Sequence, residues 1–165
     1  PNGDDIKNEN IITGIAGKKG FSVISIEKDR MNSQQGFLRR ALQVLECHGV
    51  YPEHIPTGID TLSIVVHTAE LEGKRESILA RLSEVAEPDH IEIIDNLALI
   101  AVVGRGMKST RGTATRIFAA LSHAYINIRM IDQGSSELNI IVGIDESDFN
   151  KAIQVIYDMF MLSKE

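Results

Sequence analysis

Residues 21–67, FSVISIEKDRMNSQQGFLRRALQVLECHGVYPEHIPTGIDTLSIVVH, align without a gap on residues 97–143, LALIAVVGRGMKSTRGTATRIFAALSHAYINIRMIDQGSSELNIIVG. The offset is 76 positions, and the apolar pattern stays in phase throughout. Identical pairs include Ile24/Ile100, Met31/Met107, Gly36/Gly112, Leu45/Leu121 and Gly58/Gly134. Chance similarity of two amphipathic stretches is the alternative, but it does not explain why both glycines also match. The chain therefore carries an internal repeat.

Each copy predicts the same order of elements. A β-rich run opens each copy, at residues 21–26 and 97–103, and apolar residues at helical spacing follow at 38–45 and 114–121. A second strand is predicted from Val50 or Ile126, and an alternating third strand from Leu62 or Leu138. A second helix follows the third strand in each copy. The pattern predicts an α+β fold of two ferredoxin-like βαββαβ modules, each an antiparallel four-stranded sheet with two helices on one face.

The two copies differ at their ends. Residues 91–94, IEII, supply a fourth strand for the first copy, whereas the chain ends in the short, polar run 161–165. A β-like run at residues 11–16 precedes the first copy and has no other assignment. We expect this run to complete the second sheet, because an exposed edge would otherwise remain. The predicted first domain, 18–95, is thus inserted into a discontinuous second domain of residues 9–17 and 96–162.

Composition excludes several function classes. The chain is 43% hydrophobic and 24% charged, with a net charge of −6, so it is typical of a globular protein. No basic patch stands out, which argues against nucleic acid as a partner. No apolar run approaches the roughly 20 residues of a membrane helix. The single Cys47 excludes an internal disulfide and fits a cytoplasmic location.

The chain does not begin with Met, and its start, PNGDD, is polar and acidic. This start is unlike a signal peptide. We therefore expect the chain to be a piece of a longer protein or a processed subunit.

Patterns for catalysis, cofactors or metals are weak. The glycine-containing loops at 14–19 and 104–109 do not match the phosphate-binding pattern G-x-x-x-x-G-K-[ST]. The five histidines have no metal-ligand spacing, and Cys47 has no histidine at a spacing that would activate it. We expect no catalytic residue, cofactor or metal in this chain.

One constellation predicts a binding site. In the first copy a loop leads to Gly36 at a helix start, where free N–H groups can bind a carboxylate. Carboxylates from the following strand and turn, Glu53 and Asp60, can bind an ammonium group. This combination suits a small amino acid, although a capped helix with solvent-exposed acids would show the same spacing. The candidate effector-binding residues are Met31, Ser33, Gln34, Gly36, Phe37, Leu38, Tyr51, Glu53, Thr57, Asp60 and, in the second copy, Asn127.

The second copy lacks the acid of the first. Arg129 stands where the first copy has Glu53. We therefore expect the two modules to have diverged, one towards sensing and the other towards structure or pairing, with a second effector as an alternative.

These segments resemble the paired ACT domains at the C-terminus of aspartate kinases. The resemblance covers about residues 9–160. Its carrying segments are 10–16, 31–38, 53–60, 103–109 and 126–131. The residues at 32–34, Asn-Ser-Gln, lie in a part of the motif that varies in the family.

The resemblance implies feedback control of aspartate phosphorylation, with lysine or alternatively threonine as the effector. It implies a homodimer through the ACT domains, an effector carboxylate at the backbone of Gly36, Phe37 and Leu38, and an effector amine at Glu53. The catalytic domain, which would use ATP and Mg²⁺, lies outside this chain. A pure dimerisation module without a ligand, and a small enzyme on the same fold, are the rival interpretations.

Overall fold

The structure is a computed structural model that describes residues 14–104, 111–134 and 139–161. The described residues form two compact units. The inserted unit consists of residues 19–98, and the split unit consists of residues 14–18 together with the described residues from 99 onwards. These divisions fall close to the predicted boundaries. Residues 9–13 of the predicted strand swap lie outside the described residues, so the full domain boundaries stay a prediction.

Three strands and two helices lie wholly or mostly in the inserted unit. The strands are β1 (Gly14–Glu27), β2 (Thr61–His67) and β3 (His90–Val103), and the helices are α1 (Phe37–Cys47) and α2 (Arg75–Ala86). The strand order is β2-β1-β3, and β1 pairs with β2 in antiparallel register from Phe21 opposite His67 to Glu27 opposite Thr61. Short 3-10 turns occupy Met31–Ser33 and Thr68–Leu71. The predicted α+β fold class is confirmed.

The predicted second strand of the first copy is irregular. Only two isolated bridges, His54 to Val65 and Thr57 to Leu62, join this segment to β2. Pro52 and Pro56 interrupt it, and proline has no N–H group to donate to a strand ladder. The sequence predicted a strand at this place in the chain. Its two prolines lack the N–H groups that a regular strand would donate to β2.

Strands that the sequence predicts as separate runs are continuous. The runs at 91–94 and 97–103 form the single strand β3, and the described part of the run at 11–16 continues into β1. A single left-handed residue marks the same repeat position in each strand, Gly20 with φ 89° and Asn96 with φ 60°. Asparagine is among the residues that tolerate this conformation best after glycine. The chain thus passes from one unit to the other without a loop.

The core of the inserted unit lies between its sheet and its helices. Helix α1 buries Phe37, Ala41, Val44 and Leu45. Ala41 and Leu45 belong to the face that the helical spacing predicts, whereas Leu38, at the start of that predicted face, is 42% exposed. Full burial of a Leu or Ile side chain contributes about 1.5–3 kcal/mol. The largest fully buried side chains of this core are Ile24, Ile26, Leu45, Leu62, Ile64, Leu71, Ile78 and Leu82.

An ion pair ties the start of α2 to β3. Arg75 Nη1 and Nη2 donate to the two carboxylate oxygens of Asp95 at 2.9 and 2.8 Å. The buried Ser22 donates to Asp95 Oδ1 at 2.5 Å and lies 2.8 Å from the hydroxyl of Thr68. The hydrogen bonds from Arg75 and then Ser22 hold the pKa of Asp95 below its ordinary value. The same contact raises the pKa of Arg75.

The split unit repeats the arrangement. Its further elements are α3 (Thr113–His123), β4 (Ile128–Asp132), β5 (Asn139–Asp145) and α4 (Phe149–Met161). The strand order is β3-β5-β4, and β4 pairs with β5 in antiparallel fashion with a register shift between Ile128 and Met130.

Residues 14–18 pack against α4 in the split unit. A Cβ atom built on Gly17 would lie 2.6 Å from Cε2 of Phe149 and 3.0 Å from Cδ1 of Ile153. Real Cβ atoms essentially never approach other atoms as closely as 2.6 Å. Glycine at position 17 therefore allows the strand to lie directly on the helix.

Candidate functional site

The loop before α1 is fixed by the turn before β2. Lys28 N donates to Asp60 O at 2.9 Å, and Asn32 N donates to Ile59 O at 3.2 Å. The Asp60 carboxylate accepts from Arg30 N at 2.9 Å. Asp60, predicted as an effector ligand, thus serves in this structure as an acceptor for the loop that carries the other candidate residues.

Helix α1 begins with unpaired backbone donors. Gly36 precedes it with φ 74°, a left-handed conformation that favours glycine. Phe37 N donates to Gln34 O at 3.2 Å, and Arg40 N donates to Gly36 O at 2.9 Å. Among the described residues, the N–H groups of Leu38 and Arg39 have no hydrogen-bond partner. Such groups at a helix start favour an anion.

A concavity of about 170 Å³ lies at this helix start. Met31 and Phe37 are buried, whereas Leu38 is 42% exposed. Ser33 does not line the concavity, because its hydroxyl donates to Arg30 O at 2.8 Å within the preceding turn. The candidate residues that line the concavity are Met31, Gln34, Gly36, Phe37, Leu38 and Thr57.

A second, more open groove continues along α1. Leu38 and Arg39 line both the concavity and this groove, and Tyr51 and Pro52 line the far side of the groove. Tyr51 is 73% exposed. The structure therefore places Tyr51 on the same groove as Leu38, whereas Glu53 lines neither this groove nor the concavity.

The carboxylate of Glu53 is held by a histidine that the sequence reasoning missed. Oε1 of Glu53 lies 2.8 Å from Nε2 of His67, with the two side chains 43% and 28% exposed. The His67 ring packs on Phe21, with 4.6 Å between centroids and 31° between planes. Glu53 N also donates to Val65 O at 2.8 Å. The backbone and the side chain of Glu53 are thus both tied to β2.

The split unit repeats the helix start but not the acid. Gly112 precedes α3 with φ 83°, and residues 107–110 of the matching loop lie outside the described residues. Asn127 is exposed just before β4. Arg129 donates to Asp145 Oδ1 at 3.1 Å. Both copies therefore pair this repeat position with a residue at the end of the next strand: an acid with a histidine in the first copy, and an arginine with an acid in the second.

The described residues lack two further features. No group of three or more His, Cys, Asp or Glu side chains is placed to hold a metal ion within the described ranges. No described helix is both long enough and apolar enough to cross a bilayer.

Comparisons with known proteins agree with this geometry. Residues 100–160 match the family model of the ACT domain. The chain is 43% identical over 150 residues to Aspartokinase 3 of Bacillus subtilis (strain 168), covering 90% of the chain and 33% of that relative. The crystal structure of Clostridium acetobutylicum aspartate kinase superposes with a TM-score of 0.89 at 51% identity, covering 95% of this chain and 37% of that one.

A more distant structure shares the fold. E. coli aspartokinase III, solved in complex with lysine and aspartate, has a TM-score of 0.73 at 21% identity, covering 94% of this chain and 34% of that one. The chain spans about a third of the length of each of these three relatives. Residues 100–160 thus belong to the ACT-domain family. The chain as a whole is similar to the regulatory region of aspartate kinases.

Proposed function

We propose that this chain binds an amino-acid effector at the start of α1 and transmits feedback inhibition to an aspartate kinase catalytic region. The observation that carries the proposal is the pair of unpartnered N–H groups of Leu38 and Arg39, in a concavity that the same two residues line. We propose lysine as the effector, with threonine as the alternative. ATP and Mg²⁺ would serve the catalytic region of the longer protein, outside this chain.

The chemistry of the site suits lysine. Its α-carboxylate would accept hydrogen bonds from the first turn of α1, where the helix dipole favours negative charge. Its side-chain ammonium would meet Glu53, whose carboxylate is 43% exposed and already oriented by His67. A hydrogen bond to a charged group is worth about 1.5–3 kcal/mol. Threonine has no second amine, so Glu53 would discriminate between the two amino acids.

Pairing of two copies would complete the regulatory device. Leu38, Tyr51 and Ile59 are large apolar side chains of the inserted unit that are 42%, 73% and 68% exposed. Exposed apolar side chains of this kind support a homodimer through the inserted units. Effector binding would then favour one arrangement of the dimer, and the coupling would equal the difference in effector affinity between two arrangements. The lysine complex of the distant relative supports the choice of lysine.

Calorimetric titration of the chain with lysine, threonine and methionine tests the proposal. We expect saturable lysine binding, and about 2.7 kcal/mol of added stability when lysine is present at 100 times its Kd. Glu53→Gln should weaken lysine binding about tenfold or more, since it removes a charge-assisted hydrogen bond. The matched control is Glu72→Gln, an exposed acid with no side-chain partner in the described ranges, and it should leave the affinity unchanged.

The outcomes separate the rival functions. Binding of threonine alone would assign the alternative effector. No heat and no thermal shift with any of the three amino acids would favour a pure dimerisation module.

A further inference from the structure

A basic cleft lies between α1 and α2 of the inserted unit. Its volume is about 400 Å³, and its lining includes Arg39, Arg40, His48, Ser77 and Arg81. Residues 19–98 carry eight Lys and Arg side chains against thirteen Asp and Glu side chains. Three of those eight cations line the cleft, and none of the thirteen acids does. Positive charge is therefore concentrated at one place on a unit that is acidic as a whole.

One of these cations has a structural role. Arg40 Nε donates to Val85 O at 3.3 Å, and its Nη1 donates to Gln35 O at 3.1 Å. In the split unit Arg116 takes the same part, with Nη2 donating to Met159 O at 3.1 Å. The repeat thus retains this arginine as a link between its two helices.

The other two arginines are not needed to build the helix pair. Thr115 stands at the repeat position of Arg39. The buried residues of α2 and α4 correspond with an offset of 74, which places Val155 at the position of Arg81. The split unit therefore forms the same pair of helices without either cation, and a purely structural role does not explain them.

The side chains around the cleft are arranged so that donors remain available. Arg39 makes a long contact of 3.5 Å with Gln43, and Arg81 uses Nη1 for Glu84 at 2.6 Å, which leaves further N–H donors on each guanidinium. His48 is held by Val44 O at 2.7 Å and by the hydroxyl of Ser77 at 2.9 Å, so its ring is a fixed part of the cleft wall.

We propose that this cleft binds a small anion with two or more negative charges, of the phosphate-ester or pyrophosphate class. Guanidinium groups match the geometry of phosphate oxygens and bind them with paired hydrogen bonds. The cleft volume falls within the range of small-molecule sites. The proposal goes beyond amino-acid sensing and does not depend on it, since Arg81 does not line the concavity at the start of α1.

Calorimetric titration of the chain with sodium pyrophosphate, at constant ionic strength, tests the proposal. We expect saturable binding that weakens as salt is raised, because exposed charges are screened. The Arg39→Gln/Arg81→Gln double variant should bind about tenfold more weakly or not at all, since each arginine supplies charge-assisted hydrogen bonds. Arg111→Gln, which removes an exposed arginine outside the cleft, should bind like the unaltered chain. A urea titration checks that the variants are folded. We expect them to be folded, because the split unit forms the same pair of helices without arginine at either position.

Two results would overturn the proposal. These are an absence of saturable pyrophosphate binding, and equal affinity in the double variant. In the first case, binding of an acidic Glu-rich peptide would assign the cleft to an acidic protein segment instead. A lysine titration of the single Arg81→Gln variant separates the two sites, and we expect its lysine affinity to be unchanged.

Discussion

Replacing Asp95 by Asn tests the contact that joins α2 to β3. The Asp95 carboxylate accepts three hydrogen bonds, two from Arg75 and one from the buried Ser22. An Asn side chain has one acceptor oxygen and an NH₂ group, so it cannot accept from both partners with the same geometry. We expect the free energy of unfolding to fall at neutral pH.

The magnitude follows from exposure and from the bonds that remain. The Arg75 and Asp95 side chains are 37% and 38% exposed, so solvent screens the ion pair and its contribution is about 0.5–1 kcal/mol. Ser22 is fully buried but keeps the Thr68 hydroxyl at 2.8 Å, so the loss of its charged acceptor costs about another 0.5–1 kcal/mol. The total expected loss is about 1–2 kcal/mol.

The pH dependence gives the sharper test. Because the pKa of Asp95 is lowered on folding, its contribution is fully present above its ordinary value of 3.8 and is lost as the pH falls through the folded value. Urea titrations of both proteins at about pH 7, 5 and 3 should therefore show a difference that is constant from 7 to 5 and shrinks at 3. Glu72→Gln is the control. A difference below about 0.3 kcal/mol at pH 7, or one that does not change with pH, would refute the reasoning.

Three further pairs of substitutions test the helix start, the partner of Glu53 and the packing of the first strand. Gly36→Ala should lower the free energy of unfolding, measured by urea titration, by about 1–2 kcal/mol, because φ is 74° at this position. Gly36→Asn should lower it less, since asparagine tolerates the left-handed conformation better. Equal losses would contradict a left-handed conformation at position 36. His67→Phe should weaken lysine binding, because it removes the group that orients the Glu53 carboxylate. His67→Gln keeps a hydrogen-bond donor and should retain most of the affinity. Equal lysine affinity in the two variants would show that His67 has no part in the site. Gly17→Ala should destabilise the fold by about 1–3 kcal/mol, because the added Cβ atom would clash with Phe149. Gly14→Ala is the control, since a Cβ atom at position 14 would have no neighbour within 4 Å. Similar thermal midpoints for the two variants would mean that this strand does not pack on α4.

Local sequence patterns predicted most of the fold. Helical spacing of apolar residues predicted Ala41 and Leu45 on the buried face of α1, although not the exposure of Leu38, and the ungapped repeat predicted the same architecture twice. The irregular edge segment was not predicted as irregular, although Pro52 and Pro56 signalled it. The continuity of β1 and β3 was hidden because Gly20 and Asn96 resemble loop residues.

The candidate site was predictable only where its residues are neighbours along the chain. The loop and helix start from Met31 to Leu38 form one short stretch, so a pattern could identify them. The pairing of Glu53 with His67 depends on the register between an irregular edge and β2, which residue spacing does not reveal. The basic cleft was missed for the same reason, since Arg39 and Arg81 are brought together only by the packing of two helices.

The central claim is that the acid at position 53 reads the side-chain amine of an amino acid bound at the start of α1. Lysine titrations of the unaltered chain and of Glu53→Gln, run side by side in a calorimeter, test it most directly. We expect saturable binding to the unaltered chain and affinity about tenfold or more weaker for the variant, with both proteins equally folded. Equal lysine affinity in the two proteins would contradict the assignment of Glu53, and an absence of lysine binding to the unaltered chain would contradict lysine sensing itself.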